Sequence, residues 1–536
     1  MLTKISDNSR ILRCSLSKFL KLAALNALFV FFVLVMGLEP VRAADLYRDA
    51  GDNTWDNGTD VEWSTSTGAP YTDTAWSNAT PDSATFEGTG GTVTLGEEIT
   101  CGNLLFTSYA FTIAGANLNF VAGGNITNYY ASGQNSYITS GITGTPDVYH
   151  KGNGTQDKGL EFNPTTNSVT LGTITMAYDR YTNGGSDKNR LSLNGAAGIT
   201  NSVALVQRGG LYADLYFAGL GTWNMQNVTN GSITIMSGQV VLNGTFETSY
   251  NHTRIYGGVL HYNNSSAIAT GDPLRIYGGS YDNSSGAAIT SVTNPLQYWY
   301  SDHTFIGSNG ALSDLNYGTG AVTLYGSYTL TVTNAATTLT IGGIISDGAA
   351  SYGLTKAGDG VLNLTAVNTY KGATTVSAGN LSLSSAYLDD SATVSIAAGA
   401  KMDLNFAGTD EVFYLILGGA GVAAGTWGST SSGAANQNDT YFSGIGKLNN
   451  AGGLLPSGNF LWDGSNIGGT GDGVSDGGTG TWSTSNANWD IGIASRVVWN
   501  NSTGGNVVFS GTAGTVTLGE DITIGDLTFN QGDHTI

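Results

Sequence analysis

The sequence predicts an all-β protein wound as a parallel β-solenoid, or β-helix, with coils of about 20 residues. Three observations predict it. First, a short phrase recurs between Thr355 and Phe406: a β-favouring residue, two residues, a Gly, then an alternating apolar run. It begins at Thr355 (Gly358, then Leu362 and Leu364), at Val376 (Gly379, Leu381, Leu383) and at Ile396 (Gly399, Met402, Leu404, Phe406), offsets of 21 and 20. Second, the same period governs the centre of the chain, where Ile235-x-x-Gly238, Ile255-x-x-Gly258 and Ile276-x-x-Gly279 step by 20 and 21. Third, the composition is 40% apolar with 78 Gly, 8 Pro and only 11% charged residues. That is too apolar for a disordered polymer.

A period of this length is too long for a helix face and too short for a domain. It suits one turn of a stack, in which Gly marks a bend where φ is positive or a side chain would clash. Apolar residues two apart point to one face, which a single coil cannot bury and stacked coils can. Some 400 residues in such coils make roughly 20 coils, a rod on the order of 95 Å at about 4.8 Å per coil.

Taken in order, residues 1–43 read as a secretory signal peptide. Lys4, Arg10, Arg13, Lys18 and Lys21 precede an apolar run, Leu22–Leu38, and Val41-Arg42-Ala43 supplies small residues before a cleavage point. Residues 44–125 form a Trp-rich β segment opening the first unit, with Trp55, Trp63, Trp76 and Phe86. The block returns at the far end: Phe86–Ile113 aligns without a gap to Phe509–Ile536, and Trp76 falls on Trp499 at the same offset of 423. Matching short motifs pair Trp63-Ser64-Thr65-Ser66 with Trp482-Ser483-Thr484-Ser485 and Trp55-Asp56 with Trp462-Asp463. The expected layout is a solenoid over 126–455, a Gly/Asp-rich linker at 456–480, and at 481–536 the start of a second unit, cut short inside a strand. Glu411–Leu417 is the most apolar strand expected outside the leader.

One stretch resembles a known family. GDGVLNLTAVNTYKGATTVSAGNLSL, within 353–385, reads as a Gly-rich turn (Gly358–Gly360), an L-x-L strand (Leu362–Leu364), an N-T-Y-x-G turn (Asn368–Gly372) and T-T-V-x-x-G-x-L-x-L (Thr374–Leu383). This is similar to the autotransporter-associated β-strand repeat. The resemblance implies a secreted or cell-surface bacterial β-helical protein, passenger-like and adhesin-like, at the cell outer membrane. It implies no chemistry, and no enzyme is expected.

With 40 acidic and 20 basic residues, net charge −20, the chain shows no basic stripe for nucleic acid. Cys101 takes the place of Ile524 in the second block, so an inward hydrophobic Cys is expected rather than a reactive thiol. The histidines His150, His252, His261, His303 and His534 have no metal-ligand spacing. Glu97-Glu98, Asp389-Asp390 and Glu520-Asp521 are adjacent acids, which point to opposite faces of a strand and suit turns better than a hydrolytic pair. The Gly468–Asp476 stretch carries Gly and Asp in a calcium-like pattern, once and with the wrong spacing. Arg254 and Arg275 occupy the same phase of near-identical coils, Arg254–Gly258 and Arg275–Gly279, with Asp272 or Asp282 expected near. A repeated exposed arginine explains them, and a polysaccharide lyase site is the sharper alternative. In Tyr298-Trp299-Tyr300, alternation puts both tyrosines on one face and the tryptophan on the other; an exposed tyrosine pair could stack on sugars, and an inward Trp would be core. No catalytic, cofactor or metal residue is assigned, and no cofactor is expected. The expected role is structural or adhesive, with extracellular glycans or cell-envelope components as partners and no membrane insertion of the exported segment. The alternative is a β-helical carbohydrate-active enzyme (polysaccharide lyase or hydrolase) or a glycan-binding module.

Overall fold

The computed structural model describes residues 45–536 apart from 50–52, 59–62, 69–73, 109, 130–133, 152–158, 178–188, 209–212, 230–231, 248–251, 271, 452–458, 465–474, 476, 487, 491–497, 500, 502–504 and 531–533. The leader, much of the linker and all of the calcium-like stretch but Ser475 lie outside the described residues. What is described is a parallel β-solenoid of about 17 turns with coils of about 22 residues. Its strands fall into a 21-stranded sheet, a 13-stranded sheet and a 7-stranded sheet, each running along the stack.

The apolar alternation does what its spacing demands. Leu362 pairs in register with Leu381, and Leu381 with Met402. The column extends backward through Leu339 and Leu315 to Ile289 and forward to Phe442. From Leu315 to Met402 every member is almost wholly buried, and one continuous hydrophobic cluster runs from Leu46 to Leu448. At about 25 cal/mol per Å² of apolar surface, each such leucine contributes on the order of 1.5–3 kcal/mol. The bends also follow expectation: Gly238, Gly258, Gly279, Gly358, Gly379 and Gly399 all have φ between +63° and +85°. At Gly379 a Cβ would run into the carbonyl oxygens of Gly358 and Gly360 in the coil below.

One member of the recurring phrase is displaced by a residue. Lys356, not Thr355, stands in line with Val376 and Ile396. Thr355 points outward, and Lys356 is fully buried in the column of Leu330, Val376 and Ile396. Its Nζ donates to the carbonyl oxygens of Ala357 (3.0 Å), Gly358 (2.7 Å) and Ala378 (3.1 Å), so the amine ties two successive bends together. Burial pulls its pKa down to about 8, opposed by the nearby Asp359.

Both ends of the stack are closed by antiparallel pairing, which hides the unpaired edge a parallel ladder would otherwise expose. At the start, the strand Asp45–Asp49 pairs with Ser83–Glu87 on one side and is bridged on the other by Ser64, with Tyr47 and Ser64 exchanging both backbone bonds. At the far end, Gly425–Gly428 runs antiparallel to Lys447–Asn450, and Tyr414–Leu417 is covered by the antiparallel pair at Ala420–Gly421. The expected single strand Glu411–Leu417 is in fact two. It breaks at Phe413 into Thr409–Val412 and Tyr414–Leu417, which join different sheets.

Trp55, Trp63 and Trp76 fill the lumen of the first coil, with centroids 4.8–5.1 Å apart, and Phe86, Phe106 and Phe111 carry the aromatic packing into the next coils. The second block repeats this plug. Trp76 and Trp499 are equivalent down to their neighbours: the indole N–H donates to Asn78 Oδ1 and Asn501 Oδ1, which accept from the backbone N–H of Thr100 and Thr523. The other two pairings expected from the motifs are corrected by register. Leu95 pairs with Trp55 and its counterpart Leu518 with Trp482, so Trp482 replaces Trp55. The antiparallel bridge of Leu461 with Asp490 matches that of Tyr47 with Ser64, so Trp489 replaces Trp63 and Trp462 replaces Arg48. Arg48 is fully buried with its guanidinium 5.3 Å from the Trp63 ring, where Trp462 lies 4.9 Å from Trp489. The shared W-S-T-S letters misaligned the two blocks because the intervening turns differ in length. The second plug packs on Ile416, Phe413 and Tyr414 at the end of the first stack.

Candidate functional site

The 13-stranded sheet carries the most distinctive outer face. Its strands alternate, so that in Gln297–Trp299 both Gln297 and Trp299 point inward, while Tyr298 points out. Parallel register then lines up outward residues from coil to coil: Tyr216, Thr234, Arg254, Arg275, Tyr298 and Thr323 stand in one column. Arg254 and Arg275 are therefore direct neighbours, as their phase predicts.

Two residues on, at the strand-to-bend junction, each coil from the third of these onward contributes a tyrosine. Tyr256 and Tyr277 stack with centroids 4.5 Å apart and planes at 5°, Tyr277 and Tyr300 at 4.5 Å and 6°, Tyr300 and Tyr325 at 4.4 Å and 18°. This is a four-ring ladder along the stack. Its end members are open to solvent, Tyr256 at 43% and Tyr325 at 49%. Parallel register forces the stacking, because identical residues at the same position repeat at the strand spacing of about 4.8 Å. Burial by the neighbouring rings raises the Tyr256 phenol pKa; burial, with the hydrogen bond and charge of Tyr325, pushes Tyr300 up to about 12. Of these residues sequence reasoning singled out Tyr300 and the two arginines. Tyr256 and Tyr277 were visible in the repeated R-I-Y-G-G, but their partnership with Tyr300 and Tyr325 needs the register across coils of unequal length.

One of the acids expected beside the arginines, Asp282, is elsewhere. Asp282 lies in the 21-stranded sheet, where its carboxylate is 3.9 Å from His261 and accepts from the backbone of Gly307 and Ser308. The carboxylate near Arg254 is Asp214, at 4.0 Å, itself buried and bonded to the Thr234 hydroxyl. Arg275 has no carboxylate partner among the described residues; its guanidinium sits 5.5 Å from the Tyr298 ring.

The remaining candidates are dispersed. His150 is buried against Asn128, His261 bonds Gln239, and His303 is buried with its Nδ1 donating to the Ser301 carbonyl. Among the described residues no three His, Cys, Asp or Glu side chains gather as a metal site would require. Glu97 accepts from the backbone of Asn57, Asp389 from that of Ser391, and Glu520 from that of Thr484, all at turns. Cys101 is buried, its thiol donating to the Asn103 carbonyl at 3.0 Å, and burial pushes its pKa up to about 12, so no thiolate forms near neutrality. Among the described residues no helix is long and apolar enough to cross a membrane, which does not bear on β-barrels.

These features define a class: a long parallel β-solenoid with a sealed apolar lumen and chemistry confined to its outer face. Comparison with known proteins narrows it. Residues 354–383 match the family model of the passenger-associated-transport-repeat. Over 321 residues, 55% of this chain, the sequence is 25% identical to the "Adhesin BmaC autotransporter" of Brucella suis biovar 1 (strain 1330). The aligned part is 9% of that protein, so the chain spans under a tenth of its relative's length. No solved structure matches. The chain thus carries one autotransporter-associated repeat, seated in the last coils of the stack.

Proposed function

We propose that this chain is exported by its N-terminal segment 1–43 and displayed at the bacterial surface, where its solenoid serves as a stiff adhesive rod. The reading divides it into a Trp-plugged opening (44–125), the rod (126–455), a linker (456–480) whose strand Asn459–Trp462 joins the second plug, and a second Trp-plugged segment (481–536). The observation that carries the reading is the continuous buried cluster from Leu46 to Leu448, closed at both ends, which leaves only the outer faces for partners. The similarity to an autotransporter adhesin supports surface display. The role is mechanical: stacked ladders resist unfolding along the axis while the outer side chains meet a partner. Displaying the chain on a non-adherent bacterium tests it. Protease-accessible protein on intact cells together with increased attachment to host cells or to other bacteria is the expected result; display without any gain in attachment overturns the adhesive role.

A further inference from the structure

We propose that the outer face formed by the tyrosine ladder and Arg254 and Arg275 binds a linear acidic polysaccharide laid along the stack axis. The inference deepens the surface-adhesion reading and rests on it. The four rings stack face to face, so their inner faces are spent on one another and their edges and hydroxyls are what remains for a partner, the Tyr300 hydroxyl being shared with Tyr325. The face thus offers one phenol hydroxyl per coil in a straight row. A linear polymer whose hydrogen-bonding groups recur near the strand spacing of about 4.8 Å can satisfy such a row; a compact ligand would reach only one or two rungs. Burial raises the Tyr256 and Tyr300 phenol pKa values, so these two stay protonated at neutral pH and can donate.

The charge on the partner follows from the arginines. In a chain with 40 acidic and 20 basic residues, a guanidinium that finds no carboxylate is unusual, and among the described residues Arg275 finds none. Its Nε is buried without a hydrogen-bond partner, and Arg254 one coil below has the Thr234 hydroxyl at 3.5 Å and the Asp214 carboxylate at 4.0 Å. Two guanidinium forks one rung apart match successive carboxylate or sulfate groups, which they bind bidentately. A second copy of this chain is the poorer occupant: it would bring another net charge of −20 and place arginine against arginine. The global negative charge does not forbid a polyanion locally, since exposed charges beyond about 8 Å are screened at physiological salt.

The test uses the full chain in affinity electrophoresis through gels containing polygalacturonate, heparin or dextran. Wild type is expected to be retarded by one or both anionic polymers and to pass dextran freely; retardation by polygalacturonate shows that carboxylates suffice, and retardation by heparin alone that sulfate is required. R275Q should weaken binding about tenfold, the loss of one charge-assisted bidentate contact. Y277F/Y300F keeps the stacked rings and removes two donors, so it should weaken binding several-fold without lowering the melting temperature. Failure of wild type to bind either anionic polymer, equal retardation by dextran, or unchanged binding by both variants overturns the proposal. The adhesion reading is separable. Attachment without polymer binding sinks only this inference, and polymer binding without attachment sinks only the adhesive role.

Discussion

Gly379 and Gly399 occupy the same bend one coil apart, with φ of +63° and +85°, yet a side chain would meet different surroundings. At Gly399 a Cβ faces open space; at Gly379 it meets two carbonyl oxygens. G399A should therefore cost about 1 kcal/mol, the strain of a left-handed non-Gly residue. G379A should cost about 2–3 kcal/mol, strain plus clash, and the order of the two melting temperatures checks this. His303 gives a pH-dependent counterpart. It is buried, its Nδ1 proton donated to Ser301, its Nε2 unpartnered and its ring edge-on to Trp299 at 4.5 Å. Burial pulls its pKa from 6.5 to about 4. Between those values the unfolded chain binds more protons than the native one, so stability is full above pH 6.5 and falls as pH drops to about 4, by up to about 3 kcal/mol. Asp410, pushed up to about 6 by burial, slopes the opposite way, so the measurement is the difference between wild type and H303Q. Wild type should lose more stability than H303Q across that window; parallel losses would contradict the assignment. At this scale the glycines were legible, because only one residue type tolerates those bends. Lys356 was not: its charge argued for the surface, and only the three converging carbonyls show why a lysine sits in the lumen.

Among elements, the Trp plugs do the work of end caps. The first fills the lumen with three mutually packed indoles, and its strap places Ser64 across the edge of Asp45–Asp49. W63A should cost about 3–5 kcal/mol, the usual range for emptying a large buried aromatic. Removing residues 44–85 exposes both an apolar lumen and a strand edge, so the shortened chain should self-associate in sedimentation experiments. A monomeric chain of unchanged stability would show that the plug is dispensable. That tryptophans at both ends do equivalent work was readable from the gapless match of Phe86–Ile113 with Phe509–Ile536. Which tryptophan replaces which was not. The answer depends on strand pairing, and the structure exchanges a cation–aromatic contact, Arg48 with Trp63, for an indole pair, Trp462 with Trp489. The antiparallel closure at Gly425–Gly428 left no sequence signal, since either strand direction buries alternate residues equally well.

Across the whole molecule, the period foretold the stack but misjudged its length. Coils average about 22 residues and number about 17, so the axial run is about 80 Å at about 4.8 Å per coil, shorter than the 95 Å expected from a strict 20. The extra residues lie in turns, as between Leu315 and Leu339 or Ile289 and Leu315, where the lumen column steps by 24 and 26. The same unevenness hid the tyrosine ladder, whose members are 21, 23 and 25 residues apart in sequence and adjacent in space. Outer-face recognition is thus a property of register, which letter spacing alone reports poorly. Register is also what a single measurement tests best. Cysteines placed at outward partners in neighbouring coils, T175C/Q207C, S280C/T304C and T355C/T375C, lie about 4.8 Å apart between Cα atoms, within disulfide reach. A control pair displaced by two residues, T355C/S377C, exceeds the limit of about 7 Å. Mild oxidation of the folded chain should close all three matched pairs and leave the control as free thiols; matched pairs that stay reduced, or a control that closes equally well, would contradict the stacked architecture.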